Sequence, residues 1–282
     1  MRRIIDHGKR SERRACALLG LSRDAYRHPP QVSRSDQLLQ AELVQFAHER
    51  PRFGYRRLAL MVQSRRTEVI NVKRVRRLYC ELGLMVRKRK KPKLTRPRAP
   101  LLAASHENQV WSLDFVSDSL ATGRRIKILA IADDFSHESV DLVVDHGISG
   151  AYVARVLDQA AKFRGYPQAI RTDNGPEFTS KALLHWIQQH GIRHYFIEPG
   201  KPMQNGYIES FNGKFRDECL NMQWFNTLYE ARCEIQQWRR DYNEVRPHSS
   251  CGNRTPSAFA ALHRTQTGGQ KRDAKQANKT DR

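Results

Sequence analysis

The sequence lacks long apolar runs. None of its segments reaches the roughly 18 uninterrupted apolar residues that a membrane-spanning helix requires. The first twenty residues, MRRIIDHGKRSERRACALLG, carry charges where a secretory signal peptide has its apolar centre. We therefore expect a soluble intracellular protein.

Cysteine is also sparse. The five cysteines are widely scattered, and none of them forms a CxxC pair. The sequence therefore indicates neither a disulfide framework nor a zinc knuckle, and we interpret the cysteines as buried or incidental thiols.

Acidic residues are scarce at the two ends of the chain only. Residues 1–100 hold 27 Lys and Arg against 8 Asp and Glu, and residues 264–282 hold 6 against 2, whereas residues 101–263 hold 17 against 19. A basic surface kept for solubility does not explain this segregation. It is typical of a polyanion-binding arm attached to a body with a different task. A membrane surface is a poorer partner, because no lipidation motif or strongly amphipathic basic helix is present.

The basic arm is predicted to be helical. Residues 1–85 show apolar residues at helical spacing, with Ser22 as a helix N-cap, and residues 11–28 resemble part of a helix-turn-helix. Residues 86–107 form a basic, proline-containing linker, and residues 264–282 are predicted to be disordered.

Nine basic residues are candidates for contact with a phosphate backbone: Lys73, Arg74, Arg76 and Arg77 on a predicted helix, and Arg87, Lys88, Arg89, Lys90 and Lys91 in the linker. The alternatives are a solvated helix face on a small bundle and a linker that acts only as a spacer.

From about residue 108 the pattern changes to β. Three predicted strands, in 109–116, 125–135 and 139–146, follow one another and are expected to pair mostly antiparallel. Helix, strand, helix and strand then alternate through 148–198, and the chain after 205 is mostly helical. This order predicts an α/β fold, a mixed sheet covered by helices, in residues 108–263.

Three carboxylates stand out in this body. Asp114 lies in mid-strand, where a charge on a covered face is costly unless it is paired or bound to a metal. Asp173 ends a strand, and ligands collect at the carboxyl ends of strands in open α/β sheets. Glu209 belongs to a polar helix stripe with Asn212 and Arg216.

Other acidic residues have structural interpretations. Asp118, Asp133 and Asp134 are predicted turn residues at strand ends. Glu177, in the stretch IRTDNGPEF, is predicted to be a first-turn charge of the following helix.

Together, Asp114, Asp173 and Glu209 are the minimal set for two Mg²⁺ ions about 3.5 to 4 Å apart, because hard cations prefer oxygen ligands. Such a site supports in-line displacement at phosphorus. A basic arm would attract the polyanionic substrate, and the metal ions would neutralise the carboxylates that otherwise repel it.

The same residues carry a family resemblance. Asp114, Asp173 and Glu209, with 35 residues between the last two, resemble the DD(35)E signature of retroviral integrases and bacterial transposases. The segments WSLDFVSD, GRRIKILAIADDFS, IRTDNGPEF, PGKPMQNGYIESFNGKFRDECL and YNEVRPHSSCGNRTPSAF resemble successive motifs of the orfB-type transposases of the IS-three family. The arm resembles, more loosely, the helix-turn-helix module that precedes the core in these proteins.

The resemblance implies a ribonuclease-H-like core and Mg²⁺ or Mn²⁺ dependence, with two ions per site. Asp114 and Asp173 would bind one ion, Asp114 and Glu209 the other, and Lys214 and Arg216 would contact DNA. It implies cleavage and joining of DNA at the terminal repeats of an insertion sequence, into target DNA, by a homo-oligomer on DNA. It also implies an upstream-frame partner or fusion, although this chain shows no heptad zipper.

Two departures and two alternatives accompany this reading. His137 stands where the family pattern has Arg, and Cys251 and Asn253 interrupt apolar positions of the last motif.

A catalytically silent DNA-binding regulator of the fused transposase is the second hypothesis; three intact carboxylates favour the enzyme. A ribonuclease H acting on RNA:DNA hybrids is the third, against which the basic arm and later motifs argue.

Overall fold

The computed structural model describes residues 11–28, 33–86, 104–197 and 205–264, and the chain divides into two units between Arg87 and Lys88. The predicted linker contacts Arg87, Lys88, Arg89, Lys90 and Lys91, and the tail from 265 onward, lie outside the described residues. In the part of the chain that is described, no helix is long and apolar enough to cross a membrane.

The first unit is helical, as its periodicity predicts. Its helices are α1 (Glu12–Leu18), α2 (Arg23–Arg27), α3 (Arg34–Glu49), α4 (Tyr55–Ser64) and α5 (Val72–Glu81). The predicted cap is confirmed, since the Ser22 hydroxyl accepts a hydrogen bond from the Ala25 amide. Leu43, Phe46, Leu58 and Leu78 are among the buried residues that join α3, α4 and α5 into one core.

The second unit is built around one mixed sheet. Its strands are β1 (Val110–Ser119), β2 (Arg125–Asp133), β3 (Ser139–Asp145), β4 (Ala169–Thr172) and β5 (Arg193–Phe196). Its helices are α6 (Gly150–Arg164), α7 (Lys181–Gln189), α8 (Gly206–Glu218) and α9 (Leu228–Glu244), with 3₁₀ turns at Leu220–Met222 and Ser249–Cys251 and a further helical stretch at 256–264.

The strand order is β3-β2-β1-β4-β5. The first three strands pair antiparallel, and β4 and β5 continue the sheet parallel to β1. This topology confirms the predicted ribonuclease-H-like mixed sheet. β1 is the central strand, so a residue in its middle can be reached from β2, from β4 and from a helix above.

Helices cover both faces of the sheet. One face packs against α6 and α7 through side chains that include Leu113, Leu129 and Phe178, and the other packs against α8 and α9 through Phe211 and Phe215 among others. Since β2 is covered on both sides, its sequence RIKILAIAD is nearly continuous in apolar residues instead of alternating.

Helix α9 also protects the outer edge of β3. Arg232, Gln236 and Arg239 lie three or four residues apart on one helix face and donate to the main-chain carbonyls of Val144, Leu142 and Val140 at 2.9, 2.7 and 2.9 Å. Their side chains take the place of a neighbouring strand, so the carbonyls that an edge strand leaves exposed are satisfied.

Candidate active site

Asp114 lies in the middle of β1 and is half-buried. Its two carboxylate oxygens accept hydrogen bonds from the Phe115 amide and from the Asn212 side chain, both at 2.8 Å. The Asn212 contact joins residues 98 positions apart and fixes helix α8 over the centre of the sheet.

The register of β1 and β4 leads toward Asp114 and Asp173. In the parallel β1–β4 pair Ser112 lies opposite Arg171, and the same register two residues further on reaches Asp114 and Asp173. Asp114 belongs to the face that α8 covers, since Asn212 of that helix contacts it. Asp173 follows Thr172, the last residue of β4, and its Oδ1 accepts the Gly175 amide at 3.0 Å.

Glu209 is supplied by α8. It lies three residues before Asn212, so both side chains project from the same face of the helix. Asn212 is buried against Asp114, whereas Glu209 is exposed to solvent. Helical spacing alone predicts this shared face; only the fold brings that face to Asp114.

The charges of Asp173 and Glu209 both act on Asp114. Burial raises the pKa of Asp114, and the negative charges of Asp173 and Glu209 raise it further. Hydrogen bonds from the Phe115 amide and Asn212 lower this pKa in part. Asp114 is therefore a charge that a bound cation would relieve.

The donor chemistry of this region fits a hard divalent cation, because all three side chains offer carboxylate oxygens. The Asn212 side-chain oxygen is buried and accepts no hydrogen bond from the residues that the structure describes. Across those same residues, no group of three or more His, Cys, Asp or Glu side chains is gathered closely enough to hold a metal ion. The assignment of Asp114, Asp173 and Glu209 as a common ligand set stays a prediction.

Glu177 is not a helix-start charge, so that prediction is wrong. Helix α7 begins at Lys181 with Ser180 as its cap, and Glu177 lies in the turn before it. Its carboxylate forms an ion pair with Lys127 of β2. The Lys127 ammonium also lies 3.8 Å from the centre of the ring of Phe115, the residue that follows Asp114 in β1. The turn that follows Asp173 is thus anchored on the sheet.

The predictions for the other acidic residues divide. Asp133 is the last residue of β2, and its carboxylate accepts the amides of Phe135 and Ser136 in the turn that follows, at 3.0 and 2.8 Å. Asp118 belongs to β1, which extends to Ser119, so its prediction as a turn residue is wrong. Asp134 lies in the turn after β2, as predicted, and it also forms an ion pair with Arg171, which sequence spacing could not reveal.

Two basic residues of α8 accompany Glu209. Arg216 is exposed and donates to the Ser117 carbonyl at 3.3 Å, which places it along β1 beyond Asp114. Lys214 is half-buried. Burial, with the Lys214 charge, lowers the pKa of His137 to about 4, so this histidine is neutral at pH 7.

On α5 the four candidate DNA contacts differ. Arg74 and Arg77 donate to the Asp36 carboxylate at 2.6 and 2.7 Å, and these bonds lower the pKa of Asp36. Lys73 and Arg76 are exposed. Asp36 thus ties α5 to α3, a role that the sequence pattern did not indicate.

Comparison with known proteins agrees with this architecture. Two family models, both described as integrase core domain, match residues 104–202 and 190–256, and a model described as an HTH-like domain matches residues 33–92. Fold and comparisons together define an integrase-core protein with a helix-turn-helix-like unit.

Close relatives identify the family. The 39.2 kDa protein of insertion element IS476 from Xanthomonas euvesicatoria is 60% identical over 269 residues, covering 94% of this chain and 77% of the relative. The 31.7 kDa protein of insertion element IS407 from Burkholderia multivorans is 56% identical over 255 residues, covering 90% and 92%. The chain belongs to the IS-three family of insertion-sequence transposases.

Among solved structures, a chain of the simian T-cell lymphotropic virus intasome in complex with PP2A regulatory subunit B56 gamma is similar with a TM-score of 0.49 and 19% identity. The match covers 78% of this chain and 74% of that one.

Proposed function

We propose that this chain cleaves DNA at the ends of an insertion sequence and joins the freed ends to target DNA, with Asp114, Asp173 and Glu209 as the metal-binding residues. The observation that supports the proposal is the contact between Asp114 on the central strand and Asn212 of α8, the helix that also carries Glu209, in a member of a transposase family. The negative charges of Asp173 and Glu209 both raise the pKa of Asp114.

The proposed chemistry needs no covalent enzyme intermediate. Water attacks a phosphodiester phosphorus, and the bond from phosphorus to the 3′ oxygen breaks and frees a 3′-hydroxyl. That hydroxyl then attacks a second phosphodiester and displaces its 3′ oxygen. A divalent ion, when bound, supplies Lewis-acid stabilisation of the attacking and leaving oxygens.

The protein's own residues position the carboxylates that would bind the metal ions. Asp114 is oriented by the Phe115 amide and Asn212. We propose that Asp114 with Asp173 holds one Mg²⁺ or Mn²⁺ ion and Asp114 with Glu209 the other. Lys73, Arg76, Lys214 and Arg216 are the proposed contacts to DNA. Assembly as a homo-oligomer on DNA and dependence on an upstream-frame protein stay predictions of the resemblance.

The test is strand cleavage of labelled duplexes that carry the terminal repeats of the element. We expect Asp114→Asn, Asp173→Asn and Glu209→Gln each to lose Mg²⁺-dependent cleavage to the limit of detection, because each removes a metal ligand, while DNA affinity stays near that of the wild type. Asp118→Asn, on the same face of the same strand, is the matched control and should cleave normally.

Near-normal cleavage by any of the three variants would refute the ligand assignment. A wild-type chain that binds the repeats but does not cleave them in Mg²⁺ or Mn²⁺ would instead match the silent DNA-binding regulator.

A further inference from the structure

A second buried carboxylate, that of Asp134, contacts the residues two positions before Asp114 and Asp173. Asp134 follows the end of β2, and only 9% of its side chain is exposed. Its Oδ2 accepts a hydrogen bond from the Arg171 guanidinium and its Oδ1 accepts one from the Ser112 hydroxyl, both at 2.6 Å. Its own amide donates to the Val110 carbonyl at 3.1 Å. One carboxylate thus binds β1 and β4 together.

The two strands are joined at a particular register position. Ser112 and Arg171 are direct partners in the β1–β4 pair. Two residues further along are Asp114, on the same face of β1 as Ser112, and Asp173, the first residue after the end of β4. Asp134 therefore fixes the register at the step immediately before the two aspartates.

This strand pair needs such support. Strand β4 has four residues, and three of them form register pairs with β1. The register continued from Ser112 and Arg171 brings Asp173 toward Asp114, and like charges that face each other across neighbouring strands are destabilising. Repulsion between Asp114 and Asp173 therefore acts on a short pairing at its end.

Stability alone does not account for the ion pair. A largely buried ion pair is often no more stabilising than apolar residues of similar volume, because desolvation of both charges offsets their attraction. The Arg171 guanidinium is planar and can bind a carboxylate through two nitrogens, and the Asp134 side chain is short. Together they define a fixed geometry between two strands.

We propose that Asp134 is a positioning residue for the metal site: by holding Ser112 and Arg171 it fixes the spacing of Asp114 and Asp173 before a cation arrives. This inference rests on the proposed function of that site. Residues that orient metal ligands typically change metal affinity by about 10- to 100-fold when they are replaced.

The experiment compares Asp134→Asn, Arg171→Gln and the double variant in the full chain. Mn²⁺ alone is the probe, with bound ion measured by electron paramagnetic resonance and stability by thermal unfolding. Each single variant leaves one buried charge without its partner and should lower the Tm. The double variant removes both charges and should recover most of the Tm, yet bind Mn²⁺ about 10-fold more weakly than the wild type.

A buried ion pair elsewhere in the same unit is the matched control. Arg246 and Glu218 are joined at 2.5 Å, with 2% and 10% of their side chains exposed, and Glu218 lies nine residues beyond Glu209 on α8. The double variant Glu218→Gln, Arg246→Gln should bind Mn²⁺ as the wild type does, whatever its Tm.

Wild-type Mn²⁺ affinity in the Asp134→Asn, Arg171→Gln variant would overturn the inference and leave the pair a purely structural contact. An equal loss in the Glu218→Gln, Arg246→Gln control would overturn it as well, because the effect would then follow from any lost ion pair. A wild-type chain that binds no Mn²⁺ would overturn the proposed function along with the inference, so the wild-type titration tells the two failures apart.

Discussion

Asp114 carries a charge where the fold disfavours one. Burial and the neighbouring Asp173 and Glu209 raise its pKa, so its ionised form lowers the stability of the folded chain at neutral pH. A carboxylate kept under these conditions is consistent with selection for function at the expense of stability.

Asp114→Asn should therefore stabilise the protein at pH 7 without divalent metal. The amide removes the charge and keeps an acceptor for the Phe115 amide, and we expect a Tm increase of about 2–4 °C, the shift that about 1 kcal/mol produces in a unit of this size. Differential scanning calorimetry in EDTA measures it, with Asp118→Asn as the control.

The sign of the pH dependence follows from the raised pKa. Protonated Asp114 is favoured in the folded chain, so its contribution to stability is present below the unfolded pKa and is lost as pH rises through the folded value. The Tm gap between Asp114→Asn and wild type should narrow from pH 7 toward pH 4. A variant less stable than wild type at pH 7 would contradict the repulsion.

At the scale of elements, the turn between Asp173 and α7 is held by packing as well as by charge. Gly150 begins α6 directly against this turn: a Cβ at that position would lie 2.4 Å from the Ser180 Cβ and 2.6 Å from the Glu177 carbonyl oxygen. The start of α6 can approach the turn only because residue 150 has no side chain.

Gly150→Ala should displace this turn. Because one clashing atom belongs to the backbone, we expect a loss of about 1–3 kcal/mol in the free energy of unfolding, measured by urea denaturation. Gly147→Ala is the matched control, since nothing lies within 4 Å of a Cβ there. Equal stability of the two variants would show that the contact between α6 and the turn is not tight.

At the scale of the whole molecule, the strongly basic segments are separate in sequence from the nearly neutral one. Excess positive charge lies in residues 1–100 and 264–282, whereas residues 101–263 are nearly neutral and bury uncharged imidazoles. Burial lowers the pKa of His137 and of His194 to about 4, and burial together with the Arg246 and Lys214 charges lowers that of His248 to about 2. These histidines favour the folded state only while they are neutral.

Acid should therefore destabilise the second unit through His248. A lowered histidine pKa gives stability that is present above the unfolded value of about 6.5 and is lost as pH falls below it, by about 1.4 kcal/mol per pH unit. Between pH 6 and pH 5, His248→Gln should lose less stability than wild type by about that amount. Urea denaturation at both values measures it, with the exposed His185→Gln as control; parallel losses in His248→Gln and wild type would refute it.

The sequence by itself determined the local features of this protein. Periodicity predicted the helices of the arm, the three antiparallel strands and the alternation that follows, because side-chain direction repeats within a single element. It also placed Asp114 in mid-strand, Asp173 at a strand end and Glu209 on the same helix face as Asn212. The family followed from motifs that are contiguous in the chain.

Only the tertiary structure decided which of these features meet. Four features join residues 37 to 98 positions apart. They are the β1–β4 register that leads toward Asp114 and Asp173, the Asn212–Asp114 contact, the Asp134–Arg171 pair and the anchoring of Glu177 by Lys127. Such contacts leave no periodic trace, because each depends on how separate elements pack. For that reason Glu177 was misjudged from its neighbours in sequence, and the partner of Asp134, which lies in the predicted turn, became visible only in the folded sheet.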